Sequence, residues 1–269
     1  MYRFDYHLHT NHSMDCDMNI DDLCKAALRN GLDEICITDH TEFGHPDTLS
    51  DVPPVVDAWI ADIQSARDRY PELVIRTGIE IGDNPLCRER IWTWHFALPL
   101  DFRLLSLHLI DNEDPFFSHF FDDRDQDVFY RRYVEARLES ALAWNPEDYE
   151  SFAHLGYCAK FAPYPLSERP LRYCHAPDQF DMLFHNLAEN GKALEINTSG
   201  HKTMNECIPD CELVTRFVEC GGEFVTLGSD AHVPEYVGSW IDDARELAKA
   251  CGIRYGVTFD QRKAIPILL

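Results

Sequence analysis

The feature that most constrains the fold of this chain is a regular alternation between amphipathic helical segments and short apolar segments. In the first unit, Asn19 suits a helix N-cap, the apolar residues within 20–28 fall on one helical face, and Gly31 suits the left-handed position that ends a helix. The apolar segment 34–38 follows and leads into a polar loop, which predicts a buried parallel strand. The same unit recurs along most of the chain.

Further apolar segments with the character of buried strands alternate with helical sequence, including one helix over 131–143. They are a strand near the amino terminus and the segments 73–79, 102–107, 151–153, 193–197, 224–228 and 255–258. About seven strands that alternate with helices over one unbroken stretch favour a parallel barrel over a doubly wound sheet with a second domain. We therefore expect residues 1–269 to form a single barrel domain.

Histidines and carboxylates are concentrated where these predicted strands end. Each lies at the carboxyl end of a strand or one step beyond it, and they are His7, His9, Asp39, His40, Glu80, His108, His154, Glu195, Asp230 and His232. Barrel enzymes build their active sites at that end. His7 and His9 are alternate residues of one strand, so both rings face the same side and can bind one metal ion. Structural histidines have no reason to recur at the same end of successive strands, so the pattern predicts one shared metal site.

Composition and charge narrow the classes of function. The chain has 45% hydrophobic residues, no apolar run near the length of about 20 residues that a membrane span needs, and no signal-peptide pattern, so we expect a cytoplasmic protein. A net charge of −23 disfavours nucleic acid or an anionic membrane surface as the main partner, and it leaves small molecules. The ten cysteines are scattered and favour free thiols, and the spacing of Cys207 and Cys211 suits a helix start better than a zinc ribbon.

Several short motifs carry most of these polar residues. In chain order they are His7-Leu8-His9-Thr10 with Ser13 and Asp15, Thr38-Asp39-His40, Gly78-Ile79-Glu80, Ser106-Leu107-His108, Ala153-His154-Leu155 and Gly228-Ser229-Asp230-Ala231-His232. Together they resemble the polymerase and histidinol phosphatase (PHP) family, in family order from residue 3 to residue 232. Within that family, the stretches 160–164 and 195–200 and the length of the chain are similar to the histidinol-phosphate phosphatase branch.

The resemblance implies an α/β fold, a distorted seven-stranded (β/α) barrel of the TIM-like type, with three divalent metal ions at the carboxyl ends of its strands. The implied ligands are His7, His9, Glu80 and Asp230 for the first ion, Glu80, His108 and His154 for the second, and Asp15, His40 and His232 for the third. His12 is an alternative to Asp15. Asp5 and Asp39 are expected to orient the histidines next to them. Zinc, manganese and iron all suit such mixed ligands.

The activity that the resemblance implies is hydrolysis of L-histidinol phosphate to L-histidinol and phosphate, a step of histidine biosynthesis. A phosphate monoester dianion repels hydroxide, so an enzyme must neutralise its charge and supply a nucleophile near neutral pH. A hydroxide that bridges two metal ions meets both needs, with Glu80, Asp230 and His232 at the catalytic centre. Lys160 and Lys202 fall where many relatives carry arginine, and they are expected to bind the phosphate as point charges.

Other polar residues and other functions remain as alternatives. His45, His175, His201 and the acidic loop 111–114 either line the mouth of the site or are solvated surface groups, and the surface interpretation is favoured, while His95 is expected to pack among aromatic residues. A phosphatase or phosphodiesterase acting on nucleotides or sugar phosphates would carry the same metal motifs. A non-catalytic metal-binding module would lack ligands, and this sequence lacks none of them. The sequence makes no prediction of oligomeric state.

Overall fold

The computed structural model describes residues 1–46, 51–122 and 124–269. Its strands are β1 (Phe4–Leu8), β2 (Glu34–Thr41), β3 (Val74–Gly82), β4 (Phe102–Ser106), β5 (Ser151–Phe152), β6 (Ala193–Asn197), β7 (Phe224–Gly228), β8 (Tyr255–Asp260) and β9 (Lys263–Leu268). Its helices are α1 (Ile20–Arg29), α2 (Val56–Arg69), α3 (Arg88–His95), α4 (Gln126–Ala143), α5 (Pro177–Glu189), α6 (His201–Met204), α7 (Cys211–Glu219) and α8 (Ile241–Ala250). Within this part of the chain, nine strands form one sheet in sequence order.

Strands β1 to β7 form the curved parallel wall that the sequence predicts. Each pairs in parallel with the next along the chain. The ladder does not close into a continuous ring, but β1 and the end of β7 meet through a parallel bridge between Leu8 and Ala231. The backbone N–H of Asp230 donates to the carbonyl of His7 at 2.8 Å, and that of His9 donates to Ala231 at 3.1 Å. The two ends of the wall therefore meet at the carboxyl side, where the polar residues lie.

The antiparallel β8–β9 hairpin lies at the opposite, amino end of the wall. β8 pairs only with the first two residues of β7, and the N–H of Phe259 donates to the Tyr6 hydroxyl at 2.8 Å. The Tyr6 and Phe259 rings both pack on Phe102, with centroids 5.1 Å apart in each pair. The sequence predicted only 255–258 of this hairpin, because β9 is largely exposed and lacks the apolar pattern of a buried strand.

The helices follow the predicted pattern except at α4, which starts earlier, and at α3 and the four-residue α6, which the sequence did not predict. In α1 the Asn19 side chain accepts from the N–H of Asp22 at 2.9 Å, and Gly31 beyond the helix has φ +68°, as its capping residues predict. Helix α4 starts five residues before 131, because Asp125 caps it by accepting from the N–H of Val128. Helix α3 was not predicted, since its mixture of charged and aromatic residues shows no clean apolar face. In the described residues, no helix is both long and apolar enough to cross a bilayer.

Two strands are longer than predicted, and this changes how the site is built. β2 and β3 stay paired as far as Thr41 and Ile81, so His40 and Glu80 are opposite each other inside strands rather than beyond their ends. His108 and His154, in contrast, lie in loops two residues beyond β4 and β5. The expectation that every such residue sits at a strand end or one step beyond it is therefore wrong in detail, although all of them face the same end of the sheet.

Candidate metal centre

The first predicted set of ligands converges in the interior of the wall. Glu80 Oε2 lies 3.2 Å from His7 Nε2 and 3.5 Å from His9 Nε2. Asp230 Oδ1 lies 3.8 Å and 3.5 Å from the same two nitrogen atoms. All four side chains are buried. The structure thus brings together two imidazoles and two carboxylates around one point, from strands β1 and β3 and from the loops that follow β1 and β7.

The second predicted set shares Glu80 with the first. Glu80 Oε1 lies 3.2 Å from His108 Nε2 and 2.8 Å from His154 Nε2, and these two nitrogen atoms are 3.4 Å apart. The Ser106 hydroxyl donates to the same Glu80 oxygen at 2.5 Å. Glu80 therefore directs one carboxylate oxygen to each set, which is the geometry that a bridging ligand requires.

The third predicted set lies nearer the surface. Asp15 Oδ2 is 3.1 Å from His232 Nε2 and 3.5 Å from His40 Nε2, and the other ring nitrogen of His40 is 2.8 Å from Glu80 Oε2. His12, the alternative to Asp15, instead places its Nε2 2.9 Å from Asp62 Oδ2. The structure therefore brings Asp15, rather than His12, to this set.

The unpaired atoms of the site fit divalent cations. Buried His7 Nε2, His9 Nε2 and Glu80 Oε2 lie close to one another, but none of them makes a contact with the geometry of a hydrogen bond. Leaving buried polar atoms unpaired is costly, and native proteins rarely do so without a reason. Among the described residues, four triads could each hold a metal ion, because the three ligand atoms within a triad lie within 4.8 Å of one another. The triads are His7/His9/Asp230, His7/Glu80/His154, His40/Glu80/His108 and His9/His40/His232. Nitrogen and carboxylate donors at this density suit zinc, manganese or iron.

Glu195, which the sequence marked as a strand-end residue without a role, orients two parts of the site. Its Oε1 lies 2.6 Å from His7 Nδ1, and its Oε2 accepts from the backbone N–H of His154 at 2.6 Å. Asn197 Nδ2 donates to the same Oε2 at 3.2 Å. Because one ring nitrogen of His7 is occupied by Glu195, the other is directed into the first set.

Glu42 orients the His108 ring as Glu195 orients the His7 ring, and the sequence analysis did not identify it. Its Oε1 lies 2.7 Å from His108 Nδ1, and the residue is buried. Gly82 makes room for this carboxylate, because a Cβ there would collide with both Glu42 oxygen atoms. The available signal was the spacing of His40 and Glu42, which places them on the same face of an extended chain.

Asp39 was expected to orient an adjacent histidine, but it reaches a histidine only through another side chain. Its carboxylate accepts from the N–H and hydroxyl of Thr10 at 2.6 and 2.8 Å and from Trp59 Nε1 at 3.0 Å. It also accepts from the Ser13 hydroxyl at 2.7 Å, and Ser13 Oγ lies 3.1 Å from His9 Nδ1. Asp39 therefore fixes the loop after β1 and reaches His9 through Ser13.

Asp5 holds the loop that carries Asp230. It accepts from the N–H and hydroxyl of Ser229 at 2.9 and 2.5 Å and from the N–H of Gly238 at 2.9 Å. Burial raises the pKa of Asp5 to about 6, against the opposing effect of these hydrogen bonds. Asp5 thus positions a backbone segment rather than the ring of a histidine.

The crowding of charges displaces the pKa values of the site. Burial by itself would raise the pKa of Glu80, but His7, His40 and His108 hold it well below its ordinary value. Burial disfavours protonation of His108, but the Glu80 and Glu42 carboxylates outweigh it and raise its pKa to about 10. Burial lowers the pKa of His154 to about 4. Protons and cations compete for these nitrogen atoms, so metal affinity should fall as the pH falls.

A cavity of about 500 Å³ opens over the three sets. Lys160 and Lys202, the predicted phosphate-binding residues, both line it, and Lys160 Nζ donates to Asp230 Oδ2 at 3.0 Å. Lys202 Nζ lies 4.1 Å from the centre of the Tyr236 ring, and burial lowers its pKa. A larger groove of about 710 Å³, near Arg67, is lined by none of the predicted site residues.

Only part of the predicted mouth lines this cavity. Asp114 lines it, with Oδ2 3.3 Å from His45 Nε2 and Oδ1 accepting from the Tyr157 hydroxyl at 3.4 Å. The rings of Phe116 and Phe161 meet edge to face, 5.1 Å apart, in the same wall. The favoured surface interpretation is therefore wrong for His45 and Asp114, both of which line the cavity and are largely covered.

The remaining polar candidates lie outside the cavity lining. His175 accepts from the N–H of Arg172 at 2.9 Å, and the His201 ring stacks on Trp240 at 5.3 Å. Asp111 pairs with Arg132 on the surface. His95 is fully buried 6.0 Å from the Trp144 ring, which agrees with its predicted packing role, and neither of its ring nitrogen atoms has a hydrogen-bond partner.

Comparison with known proteins places this site in a family. The model of the PHP domain matches residues 5–199. A histidinol-phosphatase of Lactococcus lactis is 28% identical over 267 residues, covering 98% of this chain and 96% of that protein. A probable histidinol-phosphatase of Deinococcus radiodurans is 30% identical over 275 residues, covering 97% and 98%.

A solved structure agrees with this placement. The crystal structure of histidinol phosphate phosphatase from Lactococcus lactis, in complex with zinc, L-histidinol and phosphate, superposes with a TM-score of 0.88 at 28% identity, covering 98% of each chain. Asp230 and His232 lie beyond the segment that the family model matches, and the fold brings them to His9 and Asp15 within it. The chain belongs to the PHP domain family.

Proposed function

We propose that this chain is a metal-dependent histidinol-phosphatase that hydrolyses L-histidinol phosphate to L-histidinol and phosphate. The observation that carries the proposal is the convergence of three ligand sets and two lysines on one cavity. The choice of substrate rests on the end-to-end similarity to the Lactococcus lactis enzyme, whose crystal structure contains L-histidinol and phosphate.

Three divalent cations, of zinc, manganese or iron, are the proposed cofactors. Their proposed ligands are His7, His9, Glu80 and Asp230; Glu80, His108 and His154; and Asp15, His40 and His232. When bound, such ions neutralise phosphate charge and lower the pKa of coordinated water towards neutrality. Glu80 contributes by holding two ligand sets at a fixed separation, and Glu195 and Glu42 contribute by fixing the rings of His7 and His108.

Lys160 and Lys202 are the proposed phosphate-binding residues. Both ammonium groups belong to the cavity wall, and Lys160 already contacts Asp230 of the first set. A lysine ammonium is a point charge without the fork of arginine, so it attracts phosphate but orients it weakly. Truncating either lysine should therefore raise KM more than it lowers kcat.

The outer wall of the cavity suits the organic part of the proposed substrate. L-histidinol phosphate carries an ammonium group and an imidazole ring. Asp114 supplies a carboxylate near the mouth, and Phe116 and Phe161 supply aromatic surface beside it. A carboxylate attracts the ammonium group, and aromatic side chains pack against a flat ring such as imidazole. Simple sugar phosphates offer neither of these groups.

The test is phosphate release by the purified enzyme, with metal supplied, from a panel of substrates. We expect kcat/KM for L-histidinol phosphate to exceed that for a nucleoside monophosphate, a sugar phosphate and a bis-aryl phosphodiester by at least about 100-fold. Lys160→Ala should raise KM, and the surface variant Lys249→Ala, which removes only a pair with Glu246, should not. A preference for any other member of the panel would overturn the substrate assignment.

A further inference from the structure

We propose that Cys211 and Cys251 form an oxidation site, a dithiol that a hydroperoxide converts to an intramolecular disulfide. Their Sγ atoms lie 3.0 Å apart, about 1 Å more than the length of a disulfide bond. The spacing of Cys207 and Cys211 predicted a helix start, and α7 does begin at Cys211; Cys207 Sγ lies 3.4 Å from His201 Nε2, and the cysteine that meets Cys211 is far along the chain.

Two neighbouring helices hold the sulfur atoms together. Cys211 is the first residue of α7, Cys251 directly follows α8, and the two helices pack against each other. The Cys251 thiol also donates to the backbone carbonyl of Cys211 at 3.4 Å. Because the helices fix both backbones, bond formation needs only small side-chain rotations.

The two thiols differ in access, which assigns them different parts in the reaction. Cys211 is exposed and Cys251 is buried. Burial raises the pKa of the Cys251 thiol to about 11, and its hydrogen bond with Cys211 adds to this. A dissolved oxidant therefore meets Cys211 first, and Cys251 acts as the resolving thiol.

The reaction proceeds in two balanced steps. The Cys211 thiolate attacks the O–O bond of the hydroperoxide, so that an S–O bond forms, an alcohol or water leaves with the thiol proton, and Cys211 becomes a sulfenic acid. The Cys251 thiol then loses its proton and attacks that sulfur; an S–S bond forms, the S–O bond breaks and water leaves. Overall, two thiols lose two electrons to one hydroperoxide.

The disulfide would tie together α7 and α8, which precede and follow the segment that carries Asp230 and His232. The segment between the two cysteines contains β7, Asp230 and His232. Closing a long loop restricts the unfolded chain, so the oxidised protein should melt at a higher temperature. Neither cysteine lines the cavity, so turnover should be the same in both forms.

The test uses the full-length protein with Cys174→Ser, which removes the other exposed thiol and so prevents cross-linking between molecules through it. Treatment with a small excess of hydrogen peroxide, followed by denaturation and alkylation, should give a protein that carries two fewer alkyl groups than the untreated protein, and a peptide pair that links Cys211 to Cys251. Dithiothreitol should reverse the change, and the reduced protein should melt several degrees lower.

Two further variants separate the proposed reaction from general oxidation. With Cys251→Ala added, Cys211 should instead proceed to a sulfinic acid, and with Cys211→Ala added, Cys251 should stay reduced. Melting curves of both variants check that they fold. Full alkylation of Cys211 and Cys251 after treatment, or a disulfide from either to a different cysteine, would overturn the proposal. The result does not depend on whether the chain hydrolyses L-histidinol phosphate.

Discussion

The inner and outer parts of the candidate metal centre are built differently. The inner part comprises the first two ligand sets, and each of its side chains is at most 8% exposed; its members are His7, His9, Glu80, His108, His154 and Asp230. In the outer part, the Asp15 side chain is 47% exposed and that of His232 is 28% exposed. The fold thus encloses two ligand sets and leaves Asp15 and His232 of the third partly open to solvent, while His40 of that set is buried.

The hydrogen bonds of His7, His108 and His232 follow the same division. In the inner part, carboxylates of Glu195 and Glu42 hold the outward nitrogen atoms of His7 and His108. In the outer part, the corresponding contact of His232 is with the backbone carbonyl of Asp230, at 3.1 Å. Rings that are fixed beforehand lose less freedom when they bind a cation, so we expect inner cations to bind more tightly than the outer one.

The largest expected effect comes from breaking the inner part at Glu80. Glu80→Gln should lower kcat by about 100- to 1,000-fold, because one carboxylate serves two ligand sets. Metal analysis should show loss of inner cations, while circular dichroism remains close to that of the wild type. The exposed variant Glu72→Gln is the matched control. Wild-type rates in Glu80→Gln would refute the bridging role.

A smaller effect is expected when the support of an inner ring is removed. Glu42→Gln should weaken metal binding at the second set by about 10- to 100-fold, since an amide is a poorer acceptor for the His108 ring N–H. Gly82→Ala should have the same effect by displacing the Glu42 carboxylate. Zinc titration against a competing chelator measures both variants. Unchanged affinity in the two variants would show that this carboxylate does not support the site.

The outer part should respond more weakly. Asp15→Asn should release one cation to a mild chelator and lower activity by about 10-fold or less, because its set is already open to solvent. His12→Ala is the matched control, since its ring contacts Asp62 instead of the set. Equal loss of metal in both variants would contradict the placement of Asp15.

The smallest effect on activity is expected at His95, a buried histidine outside the centre. Burial lowers its pKa to about 4, with Arg103 adding to this, from an ordinary value of 6.5. The unfolded chain therefore binds the proton more strongly, so stability is full above pH 6.5 and falls as the pH drops from 6.5 towards 4, by about 3 kcal/mol at most.

A variant of His95 sharpens the comparison between buried histidines. His95→Phe should keep turnover and metal content and flatten the dependence of the free energy of unfolding on pH in that window, because no buried ring then needs to be charged. Urea titrations at several pH values measure it. A loss of metal in His95→Phe would show that burial alone does not separate structural from ligating histidines.

Much of the site could be predicted because strand order and strand ends are visible in the sequence. Parallel strands place their carboxyl ends side by side, so the sequence alone assigns His7, Glu80 and Asp230 to one place. What could not be predicted depends on side-chain contacts across the fold. Glu42, directly after β2, supports His108 in the loop after β4, and its spacing from His40 indicates only a shared face, not this contact.

The errors at the amino end of the barrel have a similar cause. The β9 strand is exposed and exists because the chain turns back at Gln261 and Arg262, both at positive φ, without the Asn-Gly signal of a tight hairpin.

The roles of Asp5 and Asp39 were misjudged because each precedes or follows a histidine closely in sequence, which suggested a contact with that ring. Instead, Asp5 binds the loop of Ser229, and Asp39 binds the loop of Thr10.

An anomalous difference map from crystals grown with zinc tests the central claim most directly. We expect two strong peaks on either side of the Glu80 carboxylate, one beside His7 and His9 and one beside His108 and His154. A third, weaker peak should lie between Asp15 and His232. Absence of peaks at Glu80, or strong peaks only at other sites, would contradict the account.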